Sequence, residues 1–367
     1  MDRIAVVGCG PAGCSVALHT QAIAPEVAGR IVLFDRALYP RDKPCGGGLT
    51  ALAVGLLRSF EADLLHEGSE WISNVIVAGG ARVENVGLRK PMAVIHRRAL
   101  DARVVDVARR RGVAFEMGTR ITGVETSGDG AVLSGSGSDV PFRAVVGADG
   151  AKSTIRRAIQ RRRGGLARLI EVVTVDRMDQ PSQLRSSIVF DFSAMERGLQ
   201  GYVWRFPCVV DGVPSINWGI FDSRIYDGEP RADLAGLLSE FMTTHDYAAE
   251  RENWVSHPVR RFDPECVFAA PNVFLVGDAA GVDPALGEGI SLALDYGDLA
   301  GHVLADAAAR DDYSFATYKE QLFAHPVGQS LMARHRMALE LYRPRGAGGA
   351  DRAVATVAEW ITSAAAV

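Results

Sequence analysis

The segment Gly8-Cys9-Gly10-Pro11-Ala12-Gly13 constrains this chain more than any other. It follows the short apolar run Ile4-Ala5-Val6-Val7 and opens a helix-compatible stretch, residues 14–24, so it fits GxGxxG in a strand–turn–helix setting. Each glycine has a reason in that setting. The first permits a tight turn, the second lets backbone approach a pyrophosphate, and the third allows close packing of helix on strand. The helix N-terminus turns N–H groups and the positive end of its dipole toward phosphate. Ile31-Val32-Leu33-Phe34-Asp35 reads as the next strand of a βαβ unit, with Asp35 placed to accept hydrogen bonds from an adenosine ribose. Strand, helix and acid in register predict dinucleotide binding. The motif alone does not separate FAD from NAD.

Composition narrows the class by exclusion. Among 367 residues, 48% hydrophobic and 23% charged is an ordinary globular balance. A net charge of −4 makes no electrostatic case for nucleic-acid binding. Cys9, Cys14, Cys45, Cys208 and Cys266 form no metal-ligand spacing, so no metal site is expected, and their odd number argues against a disulfide scaffold. No window of 18 consecutive apolar residues predicts a transmembrane helix. The first residues run directly into a strand pattern, which leaves no signal peptide and predicts a cytoplasmic protein.

Along the chain, residues 98–112 read as a helix with Leu100, Val104, Val107 and Ala108 on one face, and 120–134 as a hairpin turning at Gly128-Asp129-Gly130. Val145-Val146-Gly147-Ala148-Asp149-Gly150 ends a further buried strand. From 171 to 268 the texture changes to alternating segments (187–192, 201–206, 215–221) interrupted by a helix at 232–243, the signature of an antiparallel sheet. Residues 273–276 return to the buried-strand pattern, a long helix follows at 289–309, and 313–367 reads as helices broken at Arg343-Pro344-Arg345-Gly346. The expected fold is α/β, with a discontinuous Rossmann-like domain (1–75, 96–165 and 268–312), an inserted antiparallel sheet domain (76–95 and 166–267) and C-terminal helices (313–367).

Two segments resemble the flavin monooxygenases and their relatives. Gly147-Ala148-Asp149-Gly150 is similar to their GADG segment, and Val276-Gly277-Asp278-Ala279-Ala280 to their GD motif, whose aspartate holds the ribityl hydroxyls. The resemblance implies FAD, bound in a Rossmann-like domain of the GR2 type beside a substrate domain. Pro284-Ala285-Leu286-Gly287-Glu288-Gly289-Ile290 would then open a helix toward the flavin's pyrimidine edge, where reduced flavin carries negative charge. The cofactor-binding set so implied is Gly8, Gly10, Ala12, Gly13, Asp35, Arg36, Arg41, Cys45, Gly46, Gly47, Arg97, Asp149, Gly277, Asp278, Pro284, Gly287, Gly289 and Ile290. Arg97 enters because Arg97-Arg98-Ala99-Leu100-Asp101 resembles an RxxLD segment that contacts the cofactor; a solvated arginine on a basic helix is the alternative.

A sharper resemblance concerns the reaction. Pro40-Arg41-Asp42-Lys43-Pro44-Cys45-Gly46-Gly47 and Tyr202-Val203-Trp204-Arg205-Phe206-Pro207 are similar to the PxxKxCGG and YxWxFP motifs of the geranylgeranyl reductase family. The resemblance implies hydride transfer from reduced flavin N5 to a carbon–carbon double bond. Cys45, Tyr202 and Trp204 are its catalytic candidates, and Gly48, Phe206 and Phe221 line the cavity. Tyr202 and Trp204, at i and i+2 of a strand, share a face and can wall an apolar cavity; buried core aromatics are the plainer alternative. The chain departs from the family at the GxG that follows YxWxFP. The eleven residues Cys208–Trp218 intervene, and Gly219-Ile220-Phe221 puts a ring where bare backbone belongs, which narrows the cavity. With no second nucleotide motif, electrons would come from transiently bound NAD(P)H or from a reduced protein or flavin partner. The expected substrate is a small apolar or aromatic molecule, free or carrier-bound, and peripheral membrane contact is compatible with it. A monooxygenase, less favourably a halogenase, would use the same cofactor motifs, but no WxWxIP segment is present. A non-redox flavoprotein is a third reading. Arg156, Arg157 and Arg161–Arg163 form a basic cluster, most simply a solvated face, alternatively a site for NADPH phosphate, an anionic carrier or a membrane surface.

Overall fold

A computed structural model describes residues 2–135, 139–160, 165–179, 181–344 and 348–364. Arg161–Arg163 of the basic cluster, and Arg345 and Gly346 of the expected helix break, lie outside the described residues. Among the described residues the strands form three sheets, of six, eight and three members.

The apolar runs at Ile4–Val7, Ile31–Asp35, Ala144–Gly147 and Val273–Leu275 pair in parallel, with Ala114–Met117 at one edge and Ala269–Ala270 antiparallel at the other. A parallel strand covered on both faces has no polar side, so near-continuous Val, Ile and Leu become strand here and not helix. Helix Pro11–Ile23 crosses from the first strand to the second and carries proline in its first turn, where the missing N–H has no partner to lose. It packs beside the long helix Ile290–Arg310, to which it is tied where Ser15 Oγ donates to the Leu294 carbonyl at 2.5 Å. The hairpin Ile121–Ser127 and Gly130–Gly135, joined by Val140–Phe142, makes the three-stranded sheet, turning at Gly128-Asp129 as its alternation predicts.

The eight-stranded sheet runs in the order 255–260, 166–175, 213–222, 201–210, 187–191, 69–79, 82–95, 48–49. All its pairings are antiparallel except that between 187–191 and 69–79. Alternation along Gly201–Val210 sends Tyr202, Trp204, Phe206 and Cys208 to one face and Val203 to the other. Helices Pro326–Leu341 and Gly349–Ala364 pack over the Tyr202 side, and helix Leu234–Thr243 packs over the Val203 side. With a helix layer on each face, the central strand is buried almost throughout, which its sequence (Tyr, Trp, Phe among Val and Cys) allows. The two-residue strand Gly48–Leu49, pairing with 93–94, carries the loop after Asp35 onto this sheet's edge and so joins the two large sheets. No helix among the described residues is long and apolar enough to cross a membrane.

Candidate active site

Of the first loop's three glycines, two are demanded by the fold itself. Gly8 has φ +108°, and a Cβ there would stand 2.3 Å from the Ala148 carbonyl oxygen, because the Gly147-Ala148-Asp149-Gly150 strand end lies directly beside it. A Cβ on Gly13 would stand 1.8 Å from the Gly8 carbonyl oxygen. Gly10 differs, since a Cβ there meets only the Arg41 Nη2 atom, at 3.3 Å. No side chain caps the helix that follows and no acid lies in its first turn, so Ala12 and Gly13, though buried, carry an uncompensated positive end of the dipole. Asp35 closes the loop from below, accepting from the Cys9 N–H at 2.8 Å, the Ala37 N–H at 2.9 Å and the Tyr39 hydroxyl at 3.0 Å. Arg36 beside it points into solvent.

The second loop is tied to the first through charge. Arg41 donates to the Tyr39 hydroxyl and pairs with Asp101 at 3.1 Å, while Arg97 holds both Asp101 oxygens at 2.7 and 2.8 Å. Arg97 is 3% exposed and Asp101 1%, which rules out the solvated-helix alternative for Arg97: the RxxLD segment is a buried, bidentate i,i+4 pair. Lys43 reaches across to Asp278 at 3.1 Å. Burial alone would raise the Asp278 carboxyl, but the Lys43 ammonium, and then Arg97, bring it below its ordinary value. Asp149 is turned to a structural task, accepting from Ser153 and from the Thr154 and Ile155 N–H groups to cap the short helix behind it. Gly277, at φ +56°, makes the turn that presents Asp278.

Cys45 is half-buried, its Sγ accepting from the Gly47 N–H at 3.5 Å. Beyond it, Gly47 has φ +74° and no room for a Cβ against the Ile95 carbonyl. Gly46 and Gly48 lie flat on the aromatic face of the eight-stranded sheet: a Cβ on Gly46 would touch the Phe206 ring at 3.0 Å and Trp204 Nε1 at 3.3 Å. On that face Phe190 meets Tyr202 and Phe206 edge-on, and Tyr202 lies 5.8 Å from Phe221, centroid to centroid. Phe221 rests against Gly287, so the ring that replaces the family's second glycine fills the space beside the Pro284–Gly289 loop. Tyr202 and Tyr342 donate their hydroxyls to the Leu286 and Ala285 carbonyls of the same loop. Tyr202, Trp204 and Phe206 are all buried, packed on one another and on the Cys45 loop. A cavity of about 880 Å³ lies elsewhere, lined by Met195, Leu199, Leu341, Tyr342, Arg352 and Trp360, and it meets the site only in Tyr342.

Several functional side chains escaped sequence reasoning. Arg334, 8% exposed, pairs with Asp283 at 2.6 Å and Glu288 at 3.2 Å beneath the Pro284–Gly289 loop. Glu288 in turn caps the long helix through the Ser291 N–H, leaving Gly289 and Ile290 at its mouth. Among the described members of its cluster, Arg156 alone departs from the solvated-face reading, being 3% exposed and donating to the Ala279 and Ala280 carbonyls behind Asp278, while Arg157 is exposed as that reading expects. On the sheet face under Cys45, Asn217 accepts from Trp204 Nε1 at 2.7 Å and donates to the Cys45 carbonyl and to Glu171, each at 3.4 Å. Only the Glu288 cap on Ser291 is local; the other contacts are made by the fold.

The residues present fit FAD. An open Gly10, an uncapped helix end and Asp35 offer the N–H donors and the acceptor that an adenosine diphosphate needs, while Asp278 offers a carboxylate suited to ribityl hydroxyls and the Ile290 helix mouth the positive end of a dipole suited to a flavin's polar edge. Comparison with known proteins agrees. The model of the FAD binding domain family matches residues 2–335. The chain is 28% identical to menaquinone reductase of Mycolicibacterium smegmatis over 93% of its own length and 85% of that protein. It is 25% identical to digeranylgeranylglycerophospholipid reductase 3 of Methanosphaera stadtmanae, over 85% of this chain and 79% of that one. Its fold matches a geranylgeranyl bacteriochlorophyll reductase-like protein of Thermoplasma acidophilum with a TM-score of 0.75, at 21% identity and covering 98% and 91% of the two chains.

Proposed function

The chain belongs to the FAD binding domain family and is an FAD-dependent oxidoreductase, and from that premise we propose that it reduces a carbon–carbon double bond in an apolar, isoprenoid substrate. The observation that carries this reading is the contact between the two reductase-like motifs. The Cys45-Gly46-Gly47-Gly48 loop lies on the rings of Trp204 and Phe206, so the segment expected against the flavin and the apolar wall expected against the substrate form one surface. Relatives named for a quinone and for a geranylgeranyl lipid support an apolar substrate of that kind.

FAD, once bound here and reduced, would supply the two electrons for such a reduction. The remaining work falls to this chain. Gly10 and the N-terminus of helix 11–23 take the pyrophosphate, Asp35 the ribose and Asp278 the ribityl chain, for which Lys43 exchanges its present pairing. The Arg97–Asp101–Arg41 bridge holds the Cys45 loop at a fixed height over the sheet. Tyr202, Trp204 and Phe206 exclude water and orient the apolar chain, with Phe221 limiting its depth. Cys45 touches the substrate at the loop. Tyr202 is committed as a positioning residue, since its hydroxyl donates to the Leu286 carbonyl. The FAD-binding part expected at 1–75, 96–165 and 268–312 ends its first piece at 68, because strand 69–79 lies wholly in the eight-stranded sheet; that strand joins 76–95 and 166–267 as the substrate part, and the electrons enter from NAD(P)H or a reduced partner.

The test is anaerobic mixing of the reduced holoprotein with geranylgeraniol, followed by mass analysis and by the flavin absorbance. Saturation of a double bond coupled to flavin reoxidation is expected, slowed in Cys45→Ala. An oxygenated product that forms only when air is admitted would instead indicate a monooxygenase.

A further inference from the structure

Reduction of one double bond needs two electrons and two hydrogens, and a buried apolar wall provides no water from which to take the second hydrogen as a proton. Resting on the double-bond reading above, we infer that Glu171 is the acid that delivers this proton at the Cys45 loop.

The geometry follows from strand register. In the antiparallel pairings Glu171 lies opposite Gly219, and Gly219 lies opposite Trp204, so the three stand in one row on the aromatic face. Gly219 has no side chain, and the Trp204 ring fills its place: a Cβ there would stand 2.0 Å from the indole Cζ2. The indole is thereby drawn across the sheet toward Glu171. Asn217, next in the same face, links the row, taking the Trp204 N–H on its carbonyl and offering its amide N–H groups to Glu171 Oε2 and to the Cys45 carbonyl. One carboxyl, one indole and the loop that carries the thiol thus converge on one amide.

The charges around Glu171 favour a stored proton. It is 8% exposed and forms no ion pair among the described residues. Burial raises its carboxyl to about 7, against the lowering effects of Asn217, the Cys45 backbone and, more distantly, Arg97. The other titratable groups near it are those of Cys45, on the loop whose backbone bonds it, of Cys208 on strand 201–210, and of His257 on strand 255–260. Burial pushes Cys208 up to about 12, and burial together with Lys43 pushes His257 below its ordinary value. In the step itself the alkene π bond opens. Reduced FAD, the two-electron reductant, is oxidised as one carbon gains a hydrogen with the electron pair, and the Glu171 O–H bond breaks as the other carbon takes the proton. Glu171 is left as a carboxylate and recovers a proton from solvent before the next turnover.

The test uses the full FAD-loaded protein, wild type and Glu171→Gln, with geranylgeraniol as probe. An infrared pH titration of the carboxyl C=O band, assigned by its loss in Glu171→Gln, reads the stored proton without turnover. Anaerobic turnover across the same pH range reads its use. The expected result is a protonated carboxyl that titrates near neutrality. In Glu171→Gln, kcat falls by about 10²-fold or more with KM and flavin absorbance unchanged, and the high-pH limb of the wild-type profile disappears. Glu171→Asp, which keeps a carboxyl, retains the limb and part of the rate, and carries the test if the glutamine variant fails to fold. A Glu171→Gln protein that turns over like the wild type with its limb intact overturns the inference, as does a carboxyl ionised throughout the neutral range. If the wild type itself saturates no double bond, the double-bond reading fails first, and the donor role with it.

Discussion

Replacing Arg334 by methionine removes the only cation that the structure pairs with Asp283 and Glu288 among the described residues. The guanidinium lies 2.6 Å from Asp283 and 3.2 Å from Glu288, with side-chain exposures of 9%, 0% and 13% in that order, and it also sits 4.6 Å from the centre of the Trp360 ring. Breaking a buried pair by deleting one partner costs about 3–5 kcal/mol, because the surviving charge stays out of water. Methionine retains most of the stem's packing, so the loss belongs to the charge and to the cation–π contact, together about 4 kcal/mol. The loss is local to the site. Asp283 accepts from the Ala285 N–H at 2.7 Å and Glu288 caps the long helix, so releasing either carboxylate loosens the Pro284–Gly289 loop. Urea unfolding followed by tryptophan fluorescence measures the stability, and equilibrium dialysis measures FAD affinity, which should fall with it. Asp283→Asn in the Arg334→Met background should recover at least about 1 kcal/mol, since it removes a stranded charge. A loss below about 1 kcal/mol in Arg334→Met, or simple addition of the two single losses in the double variant, would refute the reasoning.

The glycines of the first loop separate fold from ligand. Gly10→Ala should give a folded protein with weakened FAD binding, whereas Gly8→Ala, forced into a positive φ against Ala148, should lose at least about 1–3 kcal/mol of stability; circular dichroism and flavin absorbance of the purified proteins distinguish the two. Glu171 makes a prediction about stability without any cofactor. Its carboxyl moves from 4.5 to about 7 on folding, so between those pH values the native chain holds a proton that the unfolded chain has lost, and stability falls as pH rises through that window. At 1.36 kcal/mol per pH unit the fall is about 3 kcal/mol, present in the wild type and absent from Glu171→Gln, and urea midpoints across the window measure it. Tyr202→Phe, which leaves the Leu286 carbonyl without its hydroxyl donor, should lose about 1 kcal/mol in the same unfolding assay and retain flavin binding.

What could be read in advance follows from how local the physics is. Gly8 and Gly13 are legible because a tight turn and a close helix–strand approach occur within six residues and only glycine serves them, whereas Gly10 is legible only through the pyrophosphate it is expected to meet. The alternation at Tyr202 and Trp204 is legible because a strand's period is two, which places both rings on one face whatever strand lies alongside. Arg97 was half-legible: its partner Asp101 is one helical turn away, but a run of arginines on the same helix made a solvated face equally consistent. Glu171 could not be read, because its meaning comes from Asn217, 46 residues on, and from a loop that reaches the sheet only through the two-residue strand at Gly48. Arg334 and Arg156 hide for the same reason. Each is one arginine in a basic stretch until the fold sets it against Asp283 or against the Ala279 and Ala280 carbonyls.

The central claim is that FAD bound in this chain reduces a double bond of an apolar substrate. Its most direct test is a single anaerobic turnover of the reduced holoprotein with geranylgeraniol or menaquinone in deuterated water, with the product read by mass spectrometry and NMR. A product saturated at one double bond is expected, formed at the rate at which the flavin reoxidises and carrying solvent deuterium at both carbons, because the N5–H of reduced flavin exchanges with solvent as the carboxyl proton does. Flavin that stays reduced beside intact alkene, and is consumed only on admitting oxygen, would contradict it.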